Sequence, residues 1–279
     1  MTCISTVRSR RPSLRHGLGM LAAAAVIAGA APAAAQLPTQ SWNGYKWART
    51  GPLAIQLGNN LNASWSSLLA PSAAAWSAAQ NIDFVLATGR STNGCAGGVY
   101  GTVQVCNGNY GANGWLGYAN VWLSRGYIVQ ATVRLNDHYF SQPYYNTPAW
   151  RQQVMCQEVG HTLGLGHTNT NMTNLNTGSC MYYTNNPAGL AGSSNGTLAN
   201  LWPNSVDFAA LNGIYATVNT TQLASTTPTL LAGASFGIDG EHEHSLISLV
   251  PEPGSWLLLI TGFGGIGAAL RRQRRPMTA

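Results

Sequence analysis

The residues best suited to chemistry lie in one short run, Gln157-Glu158-Val159-Gly160-His161-Thr162-Leu163-Gly164-Leu165-Gly166-His167. On a helix, positions 157 and 161 project from one face a turn apart, with Glu158 beside them. Gly164 can take the left-handed conformation that ends a helix and reverses the chain, returning His167 toward that face. Two imidazoles, an amide and a carboxylate gathered this way suit a divalent cation. Catalytic zinc takes three protein ligands and keeps one place for an exchangeable water, which it acidifies while polarising a carbonyl. Glu158 would accept that water's proton and pass it to a leaving amine. The plainer reading is a pair of core histidines and a solvated carboxylate, but the shared spacing favours a metal. Gln157 offers a neutral amide oxygen, a weaker partner than imidazole nitrogen, so metal affinity should be lower than with a third histidine. A water or a nearby group such as His138 is the alternative third partner.

The spacing x-E-x-x-H-x-x-G-x-x-H resembles the metzincin signature H-E-x-x-H-x-x-G-x-x-H, with Gln157 in the place of the first histidine. Gly178-Ser179-Cys180-Met181-Tyr182 resembles the Met-turn of that family, with Met181 as the apolar floor beneath the metal. Pro203-Asn204-Ser205-Val206-Asp207-Phe208, continuing to Leu211 and Ile214-Tyr215, is similar to the terminal helix of matrixin-like metzincins, and Asp207 would cap that helix or anchor it to the motif region. The strand ending Arg134-Leu135-Asn136 falls where those enzymes keep an antiparallel edge strand that binds substrate by β-augmentation. Glutamine in the first position resembles a bacterial metzincin-like subgroup.

The resemblance covers most of residues 45 to 215. It implies an α+β fold: a metzincin-like (zincin) domain with a mixed twisted sheet, a helix packed on it, the motif helix, a Met-turn and a C-terminal helix. It also implies a zinc-dependent endopeptidase acting on a protein or peptide substrate, with one catalytic Zn2+ held by Gln157, His161 and His167 and with Glu158 as general base. The alternative is a catalytically impaired surface or matrix-binding protein on the same scaffold. Calcium is common in matrixin-like folds, but no acidic cluster places it in this sequence.

The elements that must position these residues follow from periodicity and punctuation. Residues 52–57 and 82–87 read as short strands, and residues 65–79 between them have helical spacing despite Pro71. Residues 98–106 and 115–135 give further strands separated by Gly and Asn, of which 127–135 is the strongest. Thr147 as N-cap and Pro148 at the first helical position open a helix expected to run to about Leu163, with Gly164 as its stop. Residues 216–249, rich in Thr, Ser and Ala, read as a linker.

Cys95, Cys106, Cys156 and Cys180 form an even set in the mature domain and allow three pairings. Cys95 with Cys106 would close a short loop, and Cys156 with Cys180 would tie the motif helix to the turn carrying Met181. Zinc-binding thiolates are less favoured, because paired Cys-x-x-Cys spacing is missing.

Both ends read as addresses. In residues 1–35, Arg8, Arg10, Arg11 and Arg15 precede an apolar run ending at Ala33-Ala34-Ala35, as in a secretion signal cut before Gln36. Residues 250–275 place Val250-Pro251-Glu252-Pro253 before an apolar stretch closed by Arg271, Arg272, Arg274 and Arg275. That order resembles the PEP-CTERM sorting signals of Gram-negative bacteria, which implies an exosortase-type partner and transient use of the inner membrane. Residues 36–215 would then form a domain exported to the cell envelope, surface or extracellular matrix.

The formal net charge of +6 belongs to those ends. Between Gln36 and Leu249 six basic residues (Lys46, Arg49, Arg90, Arg125, Arg134, Arg151) face seven acidic ones (Asp83, Asp137, Glu158, Asp207, Asp239, Glu241, Glu243). The domain is near neutral, which argues against a nucleic-acid partner.

Overall fold

The computed structural model describes Thr39, residues 41–218 and residues 229–237. The expected secretion signal at 1–35 and the expected sorting signal at 250–275 therefore lie outside the described residues. The described part is an α+β domain built on one mixed sheet with its helices packed against it.

Strands β1 (Lys46–Trp47), β2 (Leu53–Asn60), β3 (Ile82–Thr88), β4 (Thr102–Gly108), β5 (Trp115–Ser124), β6 (Tyr127–Asn136) and β7 (Thr229–Gly237) form the sheet. Its order is β3-β2-β4-β6-β5-β7, and β1 pairs with the start of β6. The pairs β2–β3, β2–β4 and β4–β6 are parallel, while β5 runs antiparallel to both β6 and β7. Parallel neighbours need a crossover, and helix α1 (Ala63–Trp76) supplies it between β2 and β3. Arg125 and Gly126, both with positive φ (51° and 81°), make the tight hairpin from β5 to β6.

Helix α1 begins at Asn62, whose side chain accepts from the Ser64 amide. It buries Trp65, Leu69, Ser72, Ala73 and Trp76, a stripe at helical spacing. Pro71 is tolerated because it sits on the exposed face together with Ser67, the residue whose carbonyl it leaves without a helical donor. Trp76 closes the helix, three residues before the expected end, and donates its indole N–H to the Cys156 carbonyl at 2.9 Å. That bond fastens α1 to the motif helix.

After the short helix α2 (Asp137–Phe140), the motif helix α3 runs from Pro148 to His161, with Thr147 accepting from the Trp150 amide as its N-cap. Its last helical residue is His161 rather than Leu163. Gly164 has φ 87°, and a Cβ there would collide with the Tyr45 carbonyl, so only glycine serves at this reversal. Helix α4 (Ser205–Ile214) opens with a capping box between Asn204 and Asp207.

Three expectations are corrected. The strand ending at Asn136 is not an edge: β6 lies inside the sheet between β4 and β5, and β5 is in turn covered by β7. Alternating apolar residues report burial but not strand order. The segment 216–249 is also more than a linker, because residues 229–237 pair with β5. The expected strand at 98–106 shifts to 102–108, since Val99 to Gly101 form a turn in which the Thr102 amide reaches the Val99 carbonyl.

Candidate metal centre

The site is assembled where α3, the reversal after it and the Met181 turn meet. Gln157, Glu158 and His161 on α3 are fully buried, and His167 is nearly so. Beyond Gly164 the Gly164 carbonyl accepts from the Trp42 amide at 2.7 Å, and Thr168 donates its amide to the Met181 carbonyl at 2.9 Å. These bonds hold the returning strand on both flanks of His167.

The two histidines meet. His161 Nε2 stands 3.0 Å from His167 Nε2, and the ring centroids are 4.6 Å apart. On its other side, His161 Nδ1 is 2.8 Å from the Leu165 carbonyl. A carbonyl oxygen only accepts, so Nδ1 carries the proton and the neutral ring keeps a lone pair on Nε2, toward His167. Trp42 packs edge-on against His161 and Tyr183 against His167.

Gln157 donates Nε2 to the Cys180 carbonyl at 2.8 Å. The acceptor fixes which way the amide faces and leaves Oε1 as the outward atom. That Oε1 is buried and has no hydrogen-bond partner among the described residues. One turn earlier Gln153 makes the matching bond, donating to the Tyr182 carbonyl at 3.0 Å. Gln153, Gln157 and His161 thus form a stripe along α3, the first two bracing the helix against the Met181 turn.

Met181 is fully buried, and its sulfur lies so near α3 that a Cβ on Gly160 would stand 2.6 Å from it. The Cys156–Cys180 disulfide joins the same two segments, and Cys95–Cys106 closes the loop before β4, both as preferred from the sequence. Asp207 receives hydrogen bonds from the Thr39 and Ser179 hydroxyls and from the Asn204 amide. It therefore caps α4 and also anchors the Met181 turn. Burial pushes its carboxyl above the usual carboxylate range, against the opposing effect of these hydrogen bonds.

Glu158 lies against β5. A Cβ on Gly117 would stand 2.6 Å from Glu158 Cγ and 2.7 Å from its Oε1, so glycine is what lets the strand approach. The Tyr118 hydroxyl has a raised pKa, first from burial, with Arg134 lowering it and Glu158 raising it.

An orphaned buried amide oxygen and a histidine pair with one tautomer fixed fit a divalent cation, and Gln157, His161 and His167 are the residues that would hold it. Among the described residues no three His, Cys, Asp or Glu side chains cluster for a metal. His138, the alternative third partner, therefore does not join His161 and His167; it packs on Tyr139 in α2. Trp42, Tyr183, Gln153 and Gly117 were not singled out by sequence. Only the four-residue spacing of Gln153 before Gln157 hinted at any of them.

No family model and no curated protein matches this chain. Among solved structures it is similar to myroilysin (TM-score 0.37, 14% identity, covering 63% of this chain and 98% of that one). It is also similar to high choriolytic enzyme 1, a hatching enzyme zinc-protease from the medaka fish Oryzias latipes (TM-score 0.35, 15% identity, covering 64% of this chain and 98% of that one). Similarity this distant assigns no activity to the chain, whose chemistry has to be read from its own residues.

Proposed function

We propose that this protein is an exported zinc-dependent endopeptidase of the metzincin type. The observation that carries the reading is the His161–His167 pair, 3.0 Å apart through Nε2, with the His161 tautomer fixed by the Leu165 carbonyl. Bound zinc would supply Lewis acidity toward a peptide carbonyl and would acidify a water in its reach. Glu158 holds a carboxylate beside the ligand face of α3, where it can take a proton from that water and return it to the departing amine. Gly117 brings β5 against Glu158, so a peptide paired with β5 on the side that β7 occupies would pass the base. The Gln153 and Gln157 amides and the Cys156–Cys180 disulfide keep α3 in register with the Met181 turn.

A second reading has its own support. Gln157 already spends its amide nitrogen on the Cys180 carbonyl, as Gln153 does on Tyr182, so it serves as a helix brace whether or not its oxygen binds metal. On that reading the scaffold is a weakly metallated surface or matrix-binding protein.

Zinc content and hydrolysis of unfolded protein, measured on wild type and Glu158→Ala, decide between them. The endopeptidase reading expects about one zinc per chain, hydrolysis abolished by chelator, and no hydrolysis by the variant. Zinc-free protein that stays inactive when zinc is supplied sinks it. Export, an exosortase-type partner and transient residence in the inner membrane belong to the same proposal and rest on residues 1–35 and 250–275. Among the described residues no helix is long and apolar enough to cross a membrane.

A further inference from the structure

We infer that residues 229–237 are a built-in occupant of the peptide-pairing edge, lying along β5 where an extended substrate would have to lie. The inference rests on the endopeptidase reading for its catalytic consequence, but the occupancy itself can be tested without it.

Without β7 the sheet would end at β5, exposing a row of unpaired backbone N–H and C=O groups to any extended chain. β7 fills that row. It runs antiparallel to β5, pairing Leu123 with Thr229 at one end and Trp115 with Gly237 at the other. The register sets Phe236 opposite Gly117, the position at which β5 comes against Glu158. Helix α3 lies against both β5 and β7, so the chain's own segment runs past the helix that carries Gln157, Glu158 and His161. Those three side chains are fully buried in this arrangement, whereas hydrolysis requires them to meet water and a peptide.

The sequence suits a removable occupant. Residues 229–237, Thr-Leu-Leu-Ala-Gly-Ala-Ser-Phe-Gly, carry no charge and no proline to block pairing with the equally uncharged β5, while Gly233 and the alanines beside it keep that pairing weak. The stretch from Trp202 to Val218 already ends the α4 region, and 219–228 separate it from β7, which leaves β7 as an appended strand rather than part of the β2–β6 core. The state shown is thus closed, and an active state would be reached by withdrawing β7 from β5.

The test uses the full mature chain carrying Gly233→Pro and Ala234→Pro together. Of two neighbouring residues in a strand one directs its N–H at the partner, so the double change removes a β5–β7 hydrogen bond whichever register face is involved. A fluorescent peptide of residues 229–237 is the probe. The variant should bind it about tenfold more tightly than wild type, and its hydrolysis of unfolded protein should rise and be suppressed by the same peptide. Equal peptide binding by the two proteins overturns the inference. Amide exchange on wild type gives a second readout that needs no variant to fold: residues 117–123 should be protected like β6, and exchange at the rate of an open edge overturns the inference. If β5 protection and peptide capture behave as expected while neither protein hydrolyses substrate or holds zinc, the occupancy stands and the endopeptidase reading fails.

Discussion

Gln157 is tied to Cys180 directly and through its neighbour: the Gln157 amide donates to the Cys180 carbonyl at 2.8 Å, and Cys180 is bonded through sulfur to Cys156, the residue before Gln157. The Gln157 side chain is therefore held by the turn that carries Met181, and its Oε1 is the amide atom left buried without a hydrogen-bond partner among the described residues.

Replacing Gln157 by histidine exchanges that neutral oxygen for an imidazole nitrogen and removes the donor to Cys180. Nitrogen is the better zinc partner, so Gln157→His should retain zinc through dialysis against a chelator concentration that strips the wild type, with affinity higher by about tenfold or more. Hydrolysis should rise with occupancy. Competition titration against a zinc-binding dye checks this, and weaker binding by the variant would show that the brace matters more than the ligand.

Glu158→Gln keeps the shape against Gly117 and removes the carboxylate proposed as the base. Activity should fall by about 10²- to 10⁴-fold while zinc content and the unfolding midpoint stay close to wild type. A loss confined to substrate binding, with turnover unchanged, would assign Glu158 another role.

Asp207 gives a pH signature. Its folded pKa is raised, mainly by burial, so the folded state holds this proton more firmly than the unfolded chain does. Its contribution is fully present below the unfolded carboxylate pKa and is lost as pH rises through the raised folded value. Urea unfolding of wild type and Asp207→Asn from acid to neutral pH should show the wild type losing stability relative to the variant across that window. A difference independent of pH contradicts the assignment.

Gly160→Ala should overpack the site from behind. The new Cβ would stand 2.5 Å from Trp76 Cζ2 and 2.6 Å from Met181 Sδ, both in buried residues. A cost of about 1–3 kcal/mol in urea unfolding is expected, together with weaker zinc retention as Met181 shifts. Gly97→Ala, where a Cβ meets nothing within 4 Å, is the control and should be close to neutral.

What was legible in the sequence was local. Thr147 and Pro148 announce the start of α3 through side-chain capping and a preset φ, and Gly164 announces its end. The even cysteine set and the loop lengths favoured the pairing found in the structure. Strand order was not legible, because the alternation in residues 127–135 is the same for an interior strand as for an edge. The pairing of 229–237 with β5 was hidden for the same reason: a short uncharged run that mixes Leu and Phe with Gly, Ala and Ser becomes a strand only when a distant edge offers it partners. The roles of Gln153 and Trp42 depend on which backbone groups approach them, and composition carries no trace of that.

The hydroxyl of Thr39 donates to the carboxyl of Asp207, 168 positions later, and Asp207 in turn holds Ser179 in the Met181 turn. A chain that lacks either end of the domain cannot complete this three-way link, because Thr39 and Asp207 lie near its opposite ends. The Met181 turn beneath the candidate metal residues is thus secured only when residues from both ends of the domain are present.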